Sequence, residues 1–492
     1  MKLSNSTLHS LPSDVVVPTY DRSDLTPGIV HIGVGHFHRS HQAMYLDRLL
    51  HTEAGAGWAI WGVSIESKGE DIADALAGQD GLYSLTEKDP DGATRTTVIG
   101  SIVGFDRAAD DGEPVISRLA DPNTKIISLT ITEGGYGIDP VTGAFSGAGD
   151  PLIEADLADP NSNRSWLGLV VKALIRRKES GAGAVTLMSC DNIQENGHVA
   201  REALIGFTKA VAPELLSWID ANMSFPSSMV DRVTPGTVDA DRAFLSETYG
   251  VDDAWPVTCE PFTQWVLEDN FAAGRPALET VGVDVVADVE PYELMKLRLA
   301  NGTHQALCYF GHLLGLEYVH EAIADPGINA MLLRYIDEEA VPTLRPIPGV
   351  DLHGWGRTVL QRFGNPQIKD RLSRICEDTS DRIPKFVLPG VRDQLAASRP
   401  VAVCAAVVAG WARYAEGTDE NGDAIDVRDP RREQLMTAAG LNRENPTAFL
   451  DVTEIFGDLG ATEAFAGPYR SALSTLHTAG TRALLDSLTT AD

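Results

Sequence analysis

The fold of this chain is decided by the stretch IVHIGVGHFH at residues 29–38, which runs directly into RSHQAMYLDRLL at 39–50. An apolar β-branched run, a turn that contains Gly33 and Gly35, and a helical pattern predict a strand, a tight turn and a helix. The glycines let the backbone approach a pyrophosphate closely, and the start of the helix offers that anion free N–H groups. The stretch therefore indicates a dinucleotide-binding turn.

The same stretch also fits a plainer interpretation. His38 stands where the G-x-G-x-x-G pattern has its third glycine, and two glycines are common in ordinary connections of α/β folds. Arg39 would then be a solvated helix residue. The glycine turn alone leaves both interpretations open.

Outward from this turn, strand-like and helical runs alternate. WAIWGVSI at 58–65, KIISLTIT at 125–132 and AVTLMSC at 184–190 are apolar and partly β-branched, and helical patterns separate them up to about Val285. Such alternation predicts βαβ units with a mostly parallel sheet. From about Tyr292, helical runs follow one another almost without strands, and EGTDENGDAIDVRDPRREQ at 416–434 indicates an exposed loop. Because 492 residues exceed the usual size of one core, we expect two domains, 1–285 and 286–492.

The composition excludes several classes of function. The chain has 70 acidic against 40 basic residues, and the resulting formal charge of −30 repels nucleic acid and anionic lipid. No apolar run approaches ~20 residues, and the N-terminus lacks the pattern of a signal peptide. The five cysteines lie far apart without the spacing of a zinc site. We therefore expect a cytoplasmic protein that binds neither nucleic acid nor membrane and holds no metal.

An acidic residue, Glu66, ends the second predicted strand. In dinucleotide-binding folds a carboxylate at this place accepts hydrogen bonds from the adenosine ribose and repels a 2′-phosphate, which favours NAD over NADP. Glu66 is equally consistent with an exposed loop acid, and the neighbouring Lys68 could meet a phosphate instead. The sequence leaves the role of Glu66 open.

The segment PYELMKLRLANGTH at 291–304 carries the clearest candidates for chemistry. At ~100° per residue in an α-helix, four polar residues share one side: Glu293, Lys296, Asn301 and His304. The leucines do not gather opposite them, so we expect this helix to be buried on several faces. Oxidation of an alcohol without a metal needs a base, donors for the developing alkoxide and an orienting group, which Lys, Asn and His can provide. A surface helix with scattered charge is the alternative.

Two further segments follow predicted strands. SCDNIQENG at 189–197 begins at the carboxyl end of a strand, where ligands bind in open α/β sheets, so Asn192 could donate to a substrate oxygen. TEGGY at 132–136 has glycines that permit a close approach of backbone and cofactor. Either segment could instead be a simple turn.

Taken together, these segments resemble the polyol-specific long-chain dehydrogenases, the mannitol dehydrogenase family, over nearly the whole chain. Six blocks match in order: G-x-G-x-F-x-R-S-H at 33–41, TEGGY at 132–136, SCDN with Asn196 and Gly197, DRVTP at 231–235, K-x4-N-x2-H at 296–304, and RF-x-NP at 362–366. The resemblance implies an α/β fold with an extended Rossmann-type N-terminal domain, a mainly α-helical C-terminal domain and a substrate cleft between them. It also implies a nicotinamide cofactor, no metal, and a monomer.

The resemblance further implies roles for single residues. Lys296 would be the general base that takes the hydroxyl proton. Asn192 and Asn301 would hold the alkoxide or carbonyl oxygen. His304 would orient the substrate hydroxyls, and Glu293 would help to pass the released proton to solvent. The implied cofactor contacts are Gly33, Gly35, Phe37, Arg39, Glu66, Glu133 and Gly134.

The residues that would bind the rest of the substrate are Asp231, Arg374 and Arg382. Arg382 stands where the family pattern has Lys, and its planar guanidinium could hold a uronate carboxylate as readily as a polyol hydroxyl. The N-terminal block is more similar to members that act on mannitol, which favours NAD-dependent interconversion of D-mannitol and D-fructose. D-Fructuronate reduction and D-arabitol oxidation remain alternatives. A catalytically silent binding protein is disfavoured, because Lys296, Asn301 and His304 are all present.

Overall fold

A computed structural model describes residues 1–65, 70–108, 112–139, 142–159 and 161–489. The chain divides into two compact units, Met1–Glu290 and Pro291–Asp492. The strands lie in the first unit: β1 Pro27–Ile32, β2 Ala59–Ser64, β3 Tyr83–Lys88, β4 Thr94–Ile99, β5 Ile102–Arg107, β6 Ile126–Leu129, β7 Val185–Ser189, β8 Met223–Ser224, β9 Ser228–Asp231, β10 Val257–Cys259, β11 Gln264–Glu268 and β12 Asp284–Val286.

The main sheet of the first unit is parallel throughout, with the strand order β5-β2-β1-β6-β7-β8. This is the order 3-2-1-4-5-6 of the dinucleotide-binding α/β fold. Strands β6 and β7 are completely buried, as expected where helices cover both faces of a parallel sheet. The order reverses beside β1, so the crevice that binds ligands in such sheets lies at the carboxyl ends of β1 and β6.

Two smaller sheets complete the strands of this unit. One has the order β10-β3-β4 and the other β12-β11-β9, and each contains an antiparallel pair. The sequence did not indicate these strands, since short polar runs such as TRTTVI at 94–99 lack a continuous apolar pattern. The helices of the unit are α1 His36–Ser40, α2 Gln42–Leu50, α3 Glu70–Ala77, α4 Gly112–Ala120, α5 Pro151–Ala158, α6 Trp166–Ser180, α7 Asn196–Val211, α8 Leu216–Asn222 and α9 Asp239–Tyr249.

The second unit is helical. Its elements are α10 Glu290–Lys296, a π-helical turn Leu297–Asn301, α11 Gly302–Leu313, α12 Val319–Ala324, α13 Pro326–Arg334, a second π-helical turn Tyr335–Ala340, α14 Leu352–Phe363, α15 Leu372–Ile375, α16 Thr379–Phe386, α17 Leu388–Ala396, α18 Ala402–Tyr414, α19 Arg432–Gly440, α20 Thr453–Phe456, α21 Glu463–Thr478 and α22 Gly480–Thr489. Helix α10 begins at the last residue of the first unit. Helix α18 is apolar on nearly all sides and almost completely buried, as a central helix must be.

The predicted class, an α/β N-terminal part followed by a mainly helical part, is confirmed. The predicted exposed loop at 416–434 ends three residues early because α19 begins at Arg432, and its apolar Ile425 and Val427 are buried. The five cysteines are buried and unpaired. Among the described helices, none combines the length and the apolar character needed to cross a bilayer.

Candidate active site

The glycine turn after β1 has two glycines with different requirements. Gly33 has a φ of 95°, and a Cβ on it would lie 2.0 Å from the Thr130 carbonyl oxygen. Only glycine fits such a position. Gly35 has an ordinary φ of −113°, and a Cβ there would lie 3.9 Å from the nearest atom of the described residues, the Gly33 carbonyl oxygen. The described residues leave room here, so they fit a dinucleotide whose phosphates approach the backbone closely.

A buried histidine, His31, holds the glycine turn in place through hydrogen bonds. The Thr130 hydroxyl donates to the Gly33 carbonyl at 2.7 Å, so the His31 Nε2–H donates to the Thr130 oxygen at 2.9 Å. His31 Nδ1 then accepts from Ser128 at 2.8 Å. Burial lowers the pKa of His31 to about 3, which keeps the imidazole neutral. The neutral His31 also stacks on the ring of His38, with centroids 3.5 Å apart.

Arg39 is completely buried, so its interpretation as a solvated helix residue is wrong. Its Nε donates to the Gly35 carbonyl at 3.2 Å, and its Nη1 donates to the Trp255 carbonyl. Burial lowers the pKa of the guanidinium to about 10. Arg39 therefore braces the glycine turn, while the ring of Phe37, also expected to contact the cofactor, stacks on His41 at 5.0 Å.

The segment after β6 contains an unusual backbone conformation. Thr132 has φ 67° and ψ 163°, a region that is essentially restricted to glycine. The carboxylate of Asp191 accepts from the N–H of Thr132 at 2.9 Å and from the N–H of Ile131 at 3.0 Å. The backbone of Glu133 begins a short 3₁₀ turn, and a Cβ on the next residue, Gly134, would meet no atom within 4 Å.

The loop after β7 is tied to β9. The side chain of Asn196 donates to the Asp191 carbonyl at 3.0 Å and to the Ser228 carbonyl at 2.7 Å, and it accepts from the Ser228 N–H at 2.9 Å. Asn192 lies on this loop with an exposed side chain, and Asp231 is the last residue of β9, with 8% of its surface exposed. The buried side-chain amide of Asn196 therefore connects two elements of the first unit: the loop that carries Asn192 and strand β9, which carries Asp231.

The helix that carries Lys296 is interrupted, which corrects the expectation of a continuous α-helix. Residues 297–301 form a π-helical turn, in which the Gly302 N–H donates to the Leu297 carbonyl five residues back. Such wide turns accommodate an extra residue and often occur at functional sites. Glu293 and Lys296 precede the turn and are both buried, with 5% and 7% of their surface exposed. The expected burial of this helix is thus confirmed, and the alternative of a solvated surface helix is wrong.

The wide turn changes which residues share a face. In sequence, Asn301 and His304 follow Lys296 by five and eight residues, spacings that spread over ~140° of an α-helix. The π-helical turn contains one residue more than an α-helical turn. Spacings of five and eight across it are therefore equivalent to α-helical spacings of roughly four and roughly seven, which place residues on one helix face. Together with Glu293, three residues before Lys296, the polar groups form a single narrow stripe.

A tyrosine supports the wide turn. The hydroxyl of Tyr335, which is buried, donates to the carbonyl of Arg298 at 2.8 Å. This carbonyl belongs to the π-helical turn, where the regular hydrogen-bond pattern is broken. A Cβ on Gly302 would lie 2.2 Å from the same hydroxyl, so the glycine allows the tyrosine to approach. Tyr335 had no role in the sequence-based prediction, because it lies 37 residues from Arg298.

His304 is held by the RF-x-NP block. Its imidazole stacks on the ring of Phe363, the last residue of α14, with centroids 3.6 Å apart and an interplanar angle of 6°. Asn365 is buried, and its side-chain oxygen accepts from the Gln367 N–H at 3.0 Å, which forms the turn after α14. The stacking fixes the plane of the imidazole and thus the directions of its two nitrogen atoms.

The two predicted arginines of the second unit lie together. Arg382, on α16, donates from Nη1 to the carbonyls of Arg374 and Ile375, at 3.2 and 3.1 Å. The Ile375 carbonyl also accepts from the side chain of Gln305, the neighbour of His304, at 3.2 Å. Arg374 itself forms a bidentate pair with Asp370, at 2.8 and 2.6 Å. The structure thus connects this pair of arginines to the helix that carries His304.

Two predictions need a separate statement. Glu66, the predicted ribose contact, lies outside the described residues, as does Lys68. Among the described residues, no group of three or more His, Cys, Asp or Glu side chains could hold a metal ion.

The described residues support site chemistry that the sequence only partly indicated. The first unit offers a backbone cradle at the carboxyl ends of β1 and β6, and the second unit offers the polar stripe. Four contributors to the site were not predicted from the sequence, although the first three stand in the quoted blocks: Asp191, Thr132, Phe363 and Tyr335. The unequal spacing of Lys296, Asn301 and His304 was the one available signal of the wide turn.

Comparison with known proteins gives matches over both units. A model of the mannitol dehydrogenase Rossmann domain matches residues 27–280, and a model of the mannitol dehydrogenase C-terminal domain matches residues 288–477. Mannitol 2-dehydrogenase of Phaeosphaeria nodorum is 42% identical over 489 residues, which cover 99% of this chain and 85% of that protein.

Two solved structures are similar over almost their whole length. The ternary complex of Pseudomonas fluorescens mannitol 2-dehydrogenase with NAD and D-mannitol is 43% identical with a TM-score of 0.89, and the match covers 99% of each chain. A substrate-free D-sorbitol dehydrogenase is 36% identical with a TM-score of 0.90, over 99% of this chain and 100% of the other.

Proposed function

The chain belongs to the mannitol dehydrogenase family, and from this premise we propose that it is an NAD-dependent polyol dehydrogenase that interconverts D-mannitol and D-fructose. The observation that carries the proposal is the 43% identity, over 99% of each chain, to an enzyme that binds NAD and D-mannitol together. The polar stripe of Glu293, Lys296, Asn301 and His304 supplies the matching chemistry.

The glycine turn supports the assignment of the cofactor. Gly33 is required by the backbone of the chain itself, whereas the open space at Gly35 serves no contact within the described residues. Backbone that is bare in this way suits a pyrophosphate. When bound, NAD supplies the acceptor for the hydride of the alcohol carbon.

Lys296 acts as the general base in the proposed reaction. Lys296 is buried, with 7% of its surface exposed. Its amine takes the proton of the substrate hydroxyl. Glu293, one helical turn before it, takes up this proton and passes it towards solvent.

Two amides hold the oxygen that changes charge. Asn301, on the same helix face as Lys296, and Asn192, on the loop after β7, donate to the alkoxide and then to the ketone oxygen. Fixed donors directed at a developing negative charge lower the barrier without reorganising water. His304, held flat against Phe363, orients the neighbouring hydroxyls.

The remaining contacts select the substrate. Asp231 binds a hydroxyl as an acceptor, and Arg374 and Arg382 bind the far end of the chain of carbons. Because Arg374 already makes a bidentate pair with Asp370, its charge is largely compensated, which suits a neutral polyol better than a uronate. Phe37, Arg39, Glu66, Glu133 and Gly134 remain proposed cofactor contacts. A metal-independent mechanism, a cytoplasmic location and a monomeric state belong to the same proposal.

D-Sorbitol is the second candidate substrate. The similarity to D-sorbitol dehydrogenase, at 36% identity and a TM-score of 0.90, favours it, and D-sorbitol differs from D-mannitol in configuration at one carbon. D-Fructuronate reduction and D-arabitol oxidation are further alternatives within the family.

The deciding assay follows the absorbance of NADH with purified enzyme in EDTA. NADH is offered with D-fructose and with D-fructuronate, and NAD with D-mannitol, D-sorbitol and D-arabitol. We expect D-fructose and D-mannitol to give the highest kcat/KM. A higher value for D-sorbitol or D-fructuronate would replace the proposed substrate, and activity that appears only when a divalent metal is added would contradict the metal-independent mechanism.

Replacement of the base tests the mechanism. Lys296→Ala should lower kcat about 10³-fold, because a positioned general base contributes on the order of 10² to 10⁴. The matched control is Lys209→Ala, at an exposed lysine of α7, which should keep full activity. Addition of a small primary amine should restore part of the activity of Lys296→Ala alone. Activity within about threefold of wild type in Lys296→Ala would reject the assignment of the base.

A further inference from the structure

Thr132 adopts a backbone conformation that its side chain opposes. Its φ of 67° and ψ of 163° lie where residues with a Cβ are rare, and a β-branched residue is among the least tolerant. Other non-glycine residues with positive φ, such as Glu195 and Asp378, have ψ values of 42° and 33° and occupy the milder left-handed helical region. The strain at Thr132 is therefore of a different kind.

One carboxylate holds this conformation. Asp191, of which 8% is exposed, spans the strained peptide with both oxygens: Oδ1 accepts from the Thr132 N–H at 2.9 Å and Oδ2 from the Ile131 N–H at 3.0 Å. The hydroxyl of Tyr136 donates to the same Oδ2 at 2.6 Å. The charged acceptor makes these hydrogen bonds strong.

The strain is not explained by packing of the threonine side chain, which is exposed. It lies instead at the carboxyl end of β6, next to the glycine turn: the neighbouring Thr130 contacts Gly33 through both its hydroxyl and its carbonyl. Backbone strain persists where the surroundings impose it and is concentrated at sites that bind ligands. This edge of the sheet is the edge where a dinucleotide binds in this fold.

We propose that Asp191 is a positioning residue for the cofactor: its carboxylate holds Thr132 in a glycine-like conformation and thereby presents the backbone of residues 131–134 to the bound dinucleotide. The proposal rests on the NAD-dependent function proposed above. It predicts that loss of the carboxylate weakens cofactor binding, because Thr132 then relaxes to an ordinary conformation and moves the backbone of the segment away from the cofactor. A glycine at position 132 would have no such tendency.

A double-mutant cycle tests this coupling. The variants are Asp191→Asn, Thr132→Gly and the double variant, and the readouts are the Kd for NADH by fluorescence titration and the KM for NAD against kcat. Asn keeps the size of Asp but turns an N–H₂ group towards one of the two amides. We expect Asp191→Asn to raise the Kd for NADH about tenfold in the wild-type background and less than about threefold in the Thr132→Gly background. KM for NAD should rise more than kcat falls.

The matched control is Glu339→Gln. Glu339, in the helical unit, is also buried and accepts with both oxygens from two consecutive backbone N–H groups, those of Val403 and Cys404, at 2.7 and 2.8 Å. It should lower the thermal midpoint but leave the Kd for NADH unchanged. Should Asp191→Asn fail to fold, Tyr136→Phe, which removes one hydrogen bond to the same carboxylate, is measured in both backgrounds and should show a smaller coupling of the same sign.

The outcomes separate the two proposals. If wild-type enzyme binds no NADH, the proposed function fails. If it binds NADH but Asp191→Asn has the same effect in both backgrounds, the inference is overturned, because the carboxylate then acts independently of Thr132. An equal loss of NADH affinity in Glu339→Gln would also overturn it, since the loss of any buried carboxylate would then produce the effect.

Discussion

The two parts of the candidate site are irregular in different ways. At the carboxyl edge of the parallel sheet, the irregularity lies in backbone dihedrals, with Gly33 at φ 95° and Thr132 at φ 67°. In the helical unit it lies in the winding of one helix, whose π-helical turn separates Lys296 from His304. In the first region the irregularity concerns the backbone itself, whereas in the second region it decides which side chains share a helix face.

A polar side chain from elsewhere in the chain maintains each irregularity. The Thr130 hydroxyl reaches Gly33 from 97 residues away, Asp191 reaches Ile131 from 60, and Tyr335 reaches Arg298 from 37. The comparison teaches that both regions depend on a hydrogen bond between residues far apart in the sequence, and that each needs a glycine, Gly33 in the first region and Gly302 in the second, where a Cβ would clash with the partner. Three predictions break or sharpen this comparison, in order of decreasing effect.

The largest effect is expected in the glycine turn. Gly33→Ala should destabilise the fold by on the order of 3 kcal/mol, since the methyl group meets the Thr130 carbonyl and the φ of 95° is unfavourable for alanine. Gly35→Ala, where a Cβ has room, should leave the free energy of unfolding unchanged or slightly raised. Urea unfolding measures both variants.

The same two variants, Gly33→Ala and Gly35→Ala, separate an effect on folding from an effect on cofactor binding. Gly35→Ala should weaken NADH binding about tenfold, which corresponds to ~1.4 kcal/mol, because the methyl group occupies the space left for the cofactor. Unchanged NADH affinity in Gly35→Ala would show that the open space at Gly35 is not a ligand contact, and the contrast between the two glycines would lose its functional meaning.

In the helical unit, Tyr335→Phe should cost about 2 kcal/mol of stability, because the buried Arg298 carbonyl loses its donor. It should also lower kcat about tenfold, since the winding that aligns Lys296 with Asn301 loses its support. The matched control is Tyr309→Phe. The hydroxyl that this variant lacks donates to the Gln305 side chain at 2.8 Å within α11. The control should lose similar stability in urea and keep its kcat. Equal effects on kcat in both variants would reject a special role for the wide turn.

The smallest effect concerns pH. The folded-state pKa of His31 is lowered to about 3 by burial, while the unfolded chain binds its proton near the ordinary value of about 6.5. The stability that the neutral His31 contributes is complete above about pH 6.5 and is lost as the pH falls towards 3. Between these values it makes the free energy of unfolding rise by about 1.4 kcal/mol per pH unit. Between pH 4 and 6, His31→Asn should reduce this slope by the amount that corresponds to one proton. His9→Asn, at an exposed histidine, should leave the slope unchanged. Identical slopes in wild type and His31→Asn would contradict a neutral buried imidazole.

Much of the architecture could be predicted from local patterns. The apolar runs at 29–35, 58–65, 125–132 and 184–190 all contain strands of the main sheet, because a strand buried on both faces is apolar throughout. Strands β3 and β4 were missed because TRTTVI and its partner are largely polar, and their stability comes from antiparallel pairing. Arg39 was assigned to solvent as an alternative, since nothing local indicates that Trp255 and Gly35 enclose it.

The candidate site was predicted in its residue types and misjudged in its geometry. Glu293, Lys296, Asn301 and His304 were recognised as one polar stripe, but an α-helical spacing places Asn301 at ~140° from Lys296. The π-helical turn brings them to one face. Phe363 stood in a quoted block without a role, because ring stacking on His304 requires α14 and α11 to be neighbours.

The sequence by itself determined four strands of the main sheet, the helical character of the second unit, the glycine at position 33 and the chemical groups available to the site. These follow from hydrophobic periodicity and from the steric limits of single residues, which act over a few positions in the chain. Only the tertiary structure decided the strained backbone of Thr132, the winding of the helix after Lys296 and the neutral state of His31. Each of these depends on burial or on hydrogen bonds to partners far away in the sequence, and no local pattern records such partners.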